Sequence, residues 1–327
     1  MNENPGQKLL YLSRSDVVST GLAMPEIIAA LETMFREKGE GRVEMPPKTA
    51  IHPAPDAFIH AMPASIPSQK SVGIKWVAGN PENSKRGLPY VTGLLILNDY
   101  ETGIPIAVMD ATWITAQRTG AATAISAKYL ARPESSTVGI LGCGVQGRSN
   151  LEALSVVFPL RKVYAYDSHL ERAAQYVRDA TAQFGFEAVV VTDPKQAVVN
   201  SDIVVTAGPI LRQPHATIQR GWLREGAFAS LVDFDSYWHP AALHEVDKFC
   251  TDDVPQLHYY RDLGYFQDIP PIHADLGELV TGRKPGRENA QERTIGCNLG
   301  IALDDMATAP LIYERAMEKG IGSWLRL

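Results

Sequence analysis

Between Thr137 and Asp167 the chain reads as a strand, a glycine-rich turn, a helix and a second strand ending in an acid, a pattern that points to a parallel α/β sheet. Val138-Gly139-Ile140-Leu141 is a short apolar run without polar alternation, as expected of a parallel strand buried on both faces. In Gly142-Cys143-Gly144-Val145-Gln146-Gly147 the glycines fall at G-x-G-x-x-G spacing. The first permits a tight turn, the second lets a pyrophosphate approach the backbone, and the third lets helix and strand pack closely. The helix N-terminus then faces the phosphates. Such turns also serve as plain strand-to-helix connections, so the flanks decide. Here a helix through Leu151, Ala153, Leu154 and Val157 leads to the strand Val163-Tyr164-Ala165-Tyr166 and to Asp167, twenty residues beyond Gly147. A carboxylate at that point accepts both ribose hydroxyls of a dinucleotide. The cofactor-binding set is assigned to Gly142, Gly144, Val145, Gln146, Gly147, Asp167, Thr206 and Asn298.

At 327 residues, 45% of them hydrophobic and 21% charged, the chain is long and apolar enough for two folded domains. A net charge of −6 and the lack of a basic run argue against nucleic acid or an anionic membrane as partner and favour a small metabolite. Cys143, Cys250 and Cys297 form neither a C-x-x-C site nor a disulfide framework, which fits free thiols in a reducing cytoplasm. The N-terminal residues lack a signal-peptide core, and no segment has the roughly 18 apolar residues of a membrane span, so the expected location is the cytoplasm. The histidines His52, His169, His215, His244, His258 and His273 show no metal-ligand spacing, and no metal is assigned.

Leu9–Leu12 reads as a first strand, and Pro25 opens a helix whose Ile27, Ile28, Leu31, Met34 and Phe35 recur at helical spacing. From Val43 to Asp99 short strands are expected at Ala57–Ile59, Val72–Val77 and Thr92–Leu97, β-rich and antiparallel in character. Asp110 is placed to cap a long bridging helix through Trp113, Ile114, Arg118, Ile125 and Leu130. Strands at 163–166, 188–191, 203–206, 227–232 and 248–250 continue the alternation begun at Thr137, implying a Rossmann-type, doubly wound parallel sheet. The segment 299–319 is again helical, with Pro310 inside it.

These features together resemble the ornithine cyclodeaminase/mu-crystallin family. The resemblance rests on Ala61-Met62-Pro63-Ala64, on Gly73-Ile74-Lys75-Trp76-Val77 leading to Asn80-Pro81, on Ala116-Gln117-Arg118-Thr119-Gly120-Ala121, on Gly142–Gly147, and on Leu231–Asp235 after a sheet strand. It implies an α/β protein with a second α+β domain for substrate binding and dimerisation, made of 1–120 plus 304–327, and a dinucleotide-binding domain over 121–303. It also implies a homodimer. By the same resemblance Lys75 and Arg118 hold a substrate carboxylate, Lys48 makes a third contact where arginine is common, and Asp235 is the catalytic aspartate with Lys75 beside it. Arginine suits such a task because its planar fork meets a carboxylate bidentately. A lone lysine in an apolar strand has the alternative of packing its stem and sending its ammonium to solvent. Asp233, two residues before Asp235, is a rival that the sequence leaves open, although the family usually has a small residue there.

Two departures bear on substrate. Where ornithine cyclodeaminases carry a glutamate before Met-Pro, this chain has His60, a poorer partner for a distal ammonium. Ser236-Tyr237-Trp238-His239 puts bulky aromatics where smaller residues and a basic one are common and reads as a changed substrate pocket, with plain packing as the alternative for Trp238. The expected function is therefore an NAD-dependent oxidoreductase interconverting a small α-amino acid and its imino or oxo acid, the cations fixing the carboxylate while hydride passes between Cα and the nicotinamide. The alternatives are a cyclodeaminase-type ammonia lyase, and a non-catalytic protein that holds NAD(P)H, which fold alone does not exclude.

Cofactor choice follows from Asp167. A 2′-phosphate beside this carboxylate loses the ribose hydrogen bond and gains repulsion, together on the order of 2 kcal/mol or more at an effective dielectric near 20. Arg172 and His169 lie close enough in sequence to offset part of this. We expect at least a tenfold preference for NADH over NADPH in catalytic efficiency, at roughly 1.4 kcal/mol per decade; equal efficiencies, or a preference for NADPH, would show that Asp167 does not face the ribose.

Overall fold

Alternate burial along three long neighbouring strands fixes the first sheet. In this computed structural model, which describes residues 8–327, the short strands expected between Val43 and Asp99 are parts of longer ones: β3 (Phe58–Ile66), β4 (Ser71–Gly79) and β5 (Val91–Asn98). His60, Met62, Ala64 and Ile66 of β3 and Ser71, Gly73, Lys75 and Val77 of β4 are buried, while their sequence neighbours are more exposed, the period-2 signature of a sheet covered on one face. Met62 pairs with Lys75, and Lys75 with Leu95, so the lysine sits on the core face of the sheet.

Added to these are β1 (Lys8–Leu12), β2 (Thr49–Ile51), β6 (Pro105–Asp110) and the last strand, β15 (Ser323–Arg326), giving the order β15-β1-β6-β5-β4-β3-β2. Among the described residues only the β1/β6 pair of this sheet is parallel. The helices of this unit are α1 (Arg14–Ser19), α2 (Met24–Gly39) and α10 (Ala302–Lys319). On α2, Ile27, Ile28, Leu31, Met34 and Phe35 are all buried, and α10 packs against α2, β3, β4 and β5. The Ser71 hydroxyl donates to the Met306 carbonyl at 2.7 Å, tying β4 to the first turns of α10.

The chain folds as two units: this one, which runs to Arg118 and resumes at Ile301–Leu327, and a second, Thr119–Gly300. The first seven residues of the domain expected over 1–120 lie outside the described residues. Helix α3 (Thr112–Leu130) carries the chain from one unit into the other, and the Asp110 carboxylate accepts its Thr112 N–H at 3.0 Å.

The second unit is a parallel sheet of eight strands: β7 (Thr137–Leu141), β8 (Lys162–Tyr166), β9 (Glu187–Val190), β10 (Ile203–Thr206), β11 (Phe228–Leu231), β12 (Lys248–Thr251), β13 (Ile272–Asp275) and β14 (Thr294–Cys297). Their order is β13-β12-β14-β11-β10-β7-β8-β9. β7, β10, β11, β12 and β14 are buried almost throughout, which is why their sequences run apolar instead of alternating. The helices are α4 (Val145–Val157), α5 (Leu170–Phe184), α6 (Pro194–Val199), α7 (Pro240–Leu243), α8 (Val254–Asp262) and α9 (Leu276–Val280). The chain winds outward from β7 through β8 to β9 and then returns to β10 on the other side of β7. The crevice beyond the carboxyl ends of β7 and β10 is thus the switch point at which doubly wound sheets bind ligands. No helix among the described residues is long and apolar enough to cross a membrane.

Candidate active site

In the first unit four residues singled out in the sequence lie within its buried face. Lys75 has no solvent exposure and Lys48, His60 and Arg118 are buried. The ammonium therefore does not snorkel from the sheet. It lies 2.6 Å from Asp305 Oδ2, an ion pair by separation without an aligned hydrogen bond. Arg118 Nη1 donates to Asp304 Oδ2 at 3.2 Å, and its Nε lies 3.6 Å from Asp305 Oδ1. Asp304 and Asp305 stand in the first turn of α10, where carboxylates also complement the helix dipole. Sequence reasoning passed over them; adjacent acids opening an otherwise apolar helix were the available signal.

Burial, the largest cause, together with the Arg118 charge pulls the Lys75 ammonium down to about 8, against the opposing pull of Asp305 and Asp304. Burial, then the charges of Lys48, His52 and Lys75, drives the His60 imidazole down to about 2, so it is neutral at any working pH. Its ring stacks on Phe58 with centroids 4.2 Å apart. Lys75 and Arg118 thus share the adjacent carboxylates of Asp304 and Asp305 in a cluster of ions buried on this face.

In the second unit the glycine turn has the geometry its spacing implies: close backbone approach at Gly142 and Gly147 and open space at Gly144. Gly142 takes φ +106°, and a Cβ there would come within 2.5 Å of the Ala207 carbonyl oxygen. A Cβ on Gly147 would stand 2.3 Å from the Gly142 carbonyl oxygen, so helix and turn touch directly. On Gly144 a Cβ would meet nothing within 4 Å, and this residue caps α4 without any side-chain hydrogen bond. An open backbone cradle thus lies at a helix start, the setting that binds pyrophosphate, with Val145 and Gln146 forming the first residues of the helix. At the end of β8, Asp167 accepts the Cys143 N–H through Oδ2 at 3.0 Å and the His169 N–H through Oδ1 at 2.9 Å. Each oxygen keeps a further lone pair for a ribose hydroxyl.

Thr206 and Asn298 are engaged by protein groups. The Thr206 hydroxyl donates to Asp233 Oδ1 at 2.6 Å and accepts the Trp238 indole N–H at 3.3 Å, while the Asn298 amide exchanges hydrogen bonds with Ser126 on α3. Trp238 is 1% exposed and packs in the core, the packing role its sequence setting left open beside a pocket role. Among the described residues no cluster of three His, Cys, Asp or Glu is arranged to hold a metal.

The rivalry between Asp233 and Asp235 resolves into two environments. Asp233 is fully buried, takes the Thr206 hydroxyl on one oxygen and the Gly208 N–H on the other at 2.8 Å, and so fastens the end of β10. Asp235 is 7% exposed and its Oδ1 has no hydrogen-bond partner among the described residues, leaving an acceptor for an incoming group. Phe234 between them takes φ +63°, a left-handed conformation costly for a bulky residue and typical of backbone held for function. Burial raises both carboxyls, Asp233 to about 7, with the neighbouring Asp235 pushing the same way.

A parallel sheet with an open glycine cradle, an acid at the end of β8 and a buried carboxylate along one rim defines a dinucleotide-dependent enzyme of the Rossmann class. The sequence matches the profile described as the ornithine cyclodeaminase/mu-crystallin family over residues 8–320, and the chain belongs to that family. It is 36% identical to alanine dehydrogenase of Archaeoglobus fulgidus over 329 residues, covering 97% of this chain and 98% of that one. Among solved structures it is similar to Thermococcus litoralis Δ1-pyrroline-2-carboxylate reductase in complex with NADH and L-proline, with TM-score 0.88, 34% identity, and 96% and 99% of the two chains covered. It is also similar to an archaeal alanine dehydrogenase dimer with bound NAD, with TM-score 0.86, 35% identity and coverage of 97% and 99%.

The Asp233 environment carries a pH signature. An acid whose pKa is raised on folding stabilises the protein fully below its unfolded value and loses that contribution as pH climbs to the folded value. Here the window runs from the ordinary 3.8 to about 7. The stability of the natural chain relative to Asp233→Asn, from urea unfolding, is expected to fall on the order of 3 kcal/mol from pH 4 to pH 7.5. A difference that is flat, or that rises with pH, would contradict a protonated buried carboxyl.

Proposed function

We propose that this protein is an NAD-dependent oxidoreductase that interconverts a small α-amino or cyclic imino acid with its imine or oxo acid. The observation that carries the proposal is the carboxyl rim of the parallel sheet, where the Gly144 cradle, Asp167 and Asp235 with its spare oxygen stand at the ends of β7, β8 and beyond β11. Residues 121–303 form the dinucleotide domain, and 1–120 with 304–327 bind the substrate and make the dimer contact. NAD supplies or accepts the hydride when bound. Gly142, Gly144 and Gly147 with the first residues of α4 hold its pyrophosphate, Asp167 takes the ribose hydroxyls, and Thr206 and Asn298 support the rim from within.

Lys75 and Arg118 bind and orient the substrate carboxylate, assisted by Lys48. Asp235 holds or moves the proton at the substrate nitrogen or an attacking water, and burial raises its carboxyl above the ordinary range, which favours proton uptake. His60, neutral among cations, offers no carboxylate to a second substrate ammonium, so a substrate without a distal amine is favoured over ornithine. The two solved relatives, one with L-proline and one an alanine dehydrogenase, fit this size class. A homodimer is supported by the dimeric alanine dehydrogenase and by the outward face of the first sheet, where Trp76 and Leu94 stand about half exposed. The three unpaired, buried cysteines fit a reducing cytoplasm.

Asp235→Asn is expected to lower turnover roughly 10²- to 10⁴-fold, the range for loss of a general acid or base. Lys75→Ala should act mainly on substrate KM and turnover. Both should bind NADH within about threefold of the natural chain, a spread under 1 kcal/mol. Near-normal turnover in both variants would refute the roles given to these residues.

A further inference from the structure

The loop after β10 and the loop that carries Asp235 are fastened to each other along their length. Gly208 N–H donates to Asp233 Oδ2 at 2.8 Å, Leu211 N–H to the Ser236 hydroxyl at 2.8 Å, His215 N–H to the Ser236 carbonyl at 2.6 Å and Ile218 N–H to the Tyr237 carbonyl at 2.8 Å. On the other side, Ala207 N–H donates to the Leu141 carbonyl at 2.8 Å, and Gly142 fits against Ala207. The two loops therefore form one wall of the switch-point crevice.

Tyr237 stands on that wall. A Cβ on Gly208 would fall 2.4 Å from its Cε2 and 2.6 Å from its hydroxyl oxygen, so the phenol lies directly on the glycine backbone. The ring is only partly buried, and it runs nearly parallel to the His215 ring, with an interplanar angle of 15° and centroids 6.3 Å apart. Burial holds the phenol up at about 12, with Asp233, then Asp167, then Tyr166 acting in the same direction. The hydroxyl is thus a protonated donor placed within the field of both the ribose-facing acid and the acid that fastens β10. A side chain between these two points borders the line that a dinucleotide follows across the carboxyl ends of β7 and β8.

We propose that Tyr237 contacts the dinucleotide, its hydroxyl donating to a phosphate or ribose oxygen while its ring walls the crevice at Gly208. The inference rests on the dinucleotide site proposed above. It gives the aromatic segment after Asp235 a role in cofactor binding, with Trp238 buried behind it as the core support of Thr206. Tyr237 is in this reading a binding residue, and Tyr237→Phe, which keeps the ring and removes only the hydroxyl, is the decisive change.

The test is fluorescence titration of the substrate-free protein with NADH, accompanied by calorimetric titration with ADP-ribose and with adenosine. The natural chain should bind NADH and ADP-ribose. Tyr237→Phe should weaken both about three- to tenfold, the span of a single neutral hydrogen bond, and Tyr237→Ala should weaken them further through loss of the wall. An effect of Tyr237→Phe that appears with ADP-ribose but not with adenosine places the contact on a phosphate or the distal ribose; one that appears with both places it on the adenosine ribose. Affinities for NADH and ADP-ribose within twofold of the natural chain in Tyr237→Phe overturn the proposal while leaving the dinucleotide site intact. Failure of the natural chain itself to bind NADH overturns the site and Tyr237 together, and circular dichroism of each variant confirms that a loss reflects binding and not unfolding.

Discussion

A fully buried ammonium in the middle of a sheet sets the terms for the first unit. Removing an isolated charge from water costs far more than a hydrophobic contact returns, so Lys75 can sit on the core face of β4 only with a carboxylate alongside. Asp305 supplies it at 2.6 Å, and that requirement brings α10, from near the end of the chain, onto strands formed from its first hundred residues. Arg118 and Asp304 repeat the arrangement next to it. Such a cluster is a poor way to gain stability, since well-packed apolar residues of like volume do as well or better. What it provides is a rigid, dry cluster of ions, in keeping with the carboxylate grip proposed for Lys75 and Arg118.

The second unit meets a different constraint, the close approach of backbone to backbone at the carboxyl ends of β7 and β10. Gly142 has to be glycine because of both its φ and the Ala207 carbonyl, while Gly144 faces open space in which only a ligand would be crowded. Asp233 then turns a topological crevice into a fixed wall by binding Thr206 and Gly208 at once. The strained Phe234 separates this supporting carboxyl from Asp235, whose Oδ1 has no hydrogen-bond partner among the described residues. Two aspartates two residues apart thus stand in different environments, one fastening the fold and one with an open acceptor.

The legible parts of this protein were those governed by short-range rules. The glycine turn, the acid at the end of β8, the apolar strands β7, β10 and β11 and the helical face of α2 each announce themselves through local spacing. Strands β13, β14 and β15 were missed because they are only four residues long and carry Gly, His, Asp or Ser, so their pairing is decided by long-range partners. Residues 58–66 were foreseen only at their start, since Pro63 argues against a strand locally while the β3/β4 ladder accepts it. For the site, the family resemblance pointed to Lys75 and Arg118, but their partners Asp304 and Asp305 depend on how a distant helix docks. For Trp238 the sequence left pocket and packing both open, because only the fold shows its indole N–H reaching Thr206.

The central claim, that a carboxylate-gripping face and a dinucleotide crevice in one chain serve net oxidation and reduction, is tested most directly by stoichiometry. Purified protein supplied with NAD and a panel of small amino acids, including alanine and proline, should form NADH one for one with the oxo or imino acid product. Ammonia released from a diamino acid with no net NADH would contradict it and make the protein a cyclodeaminase. Tight NADH binding with no turnover of any amino, imino or oxo acid would make it a binding protein.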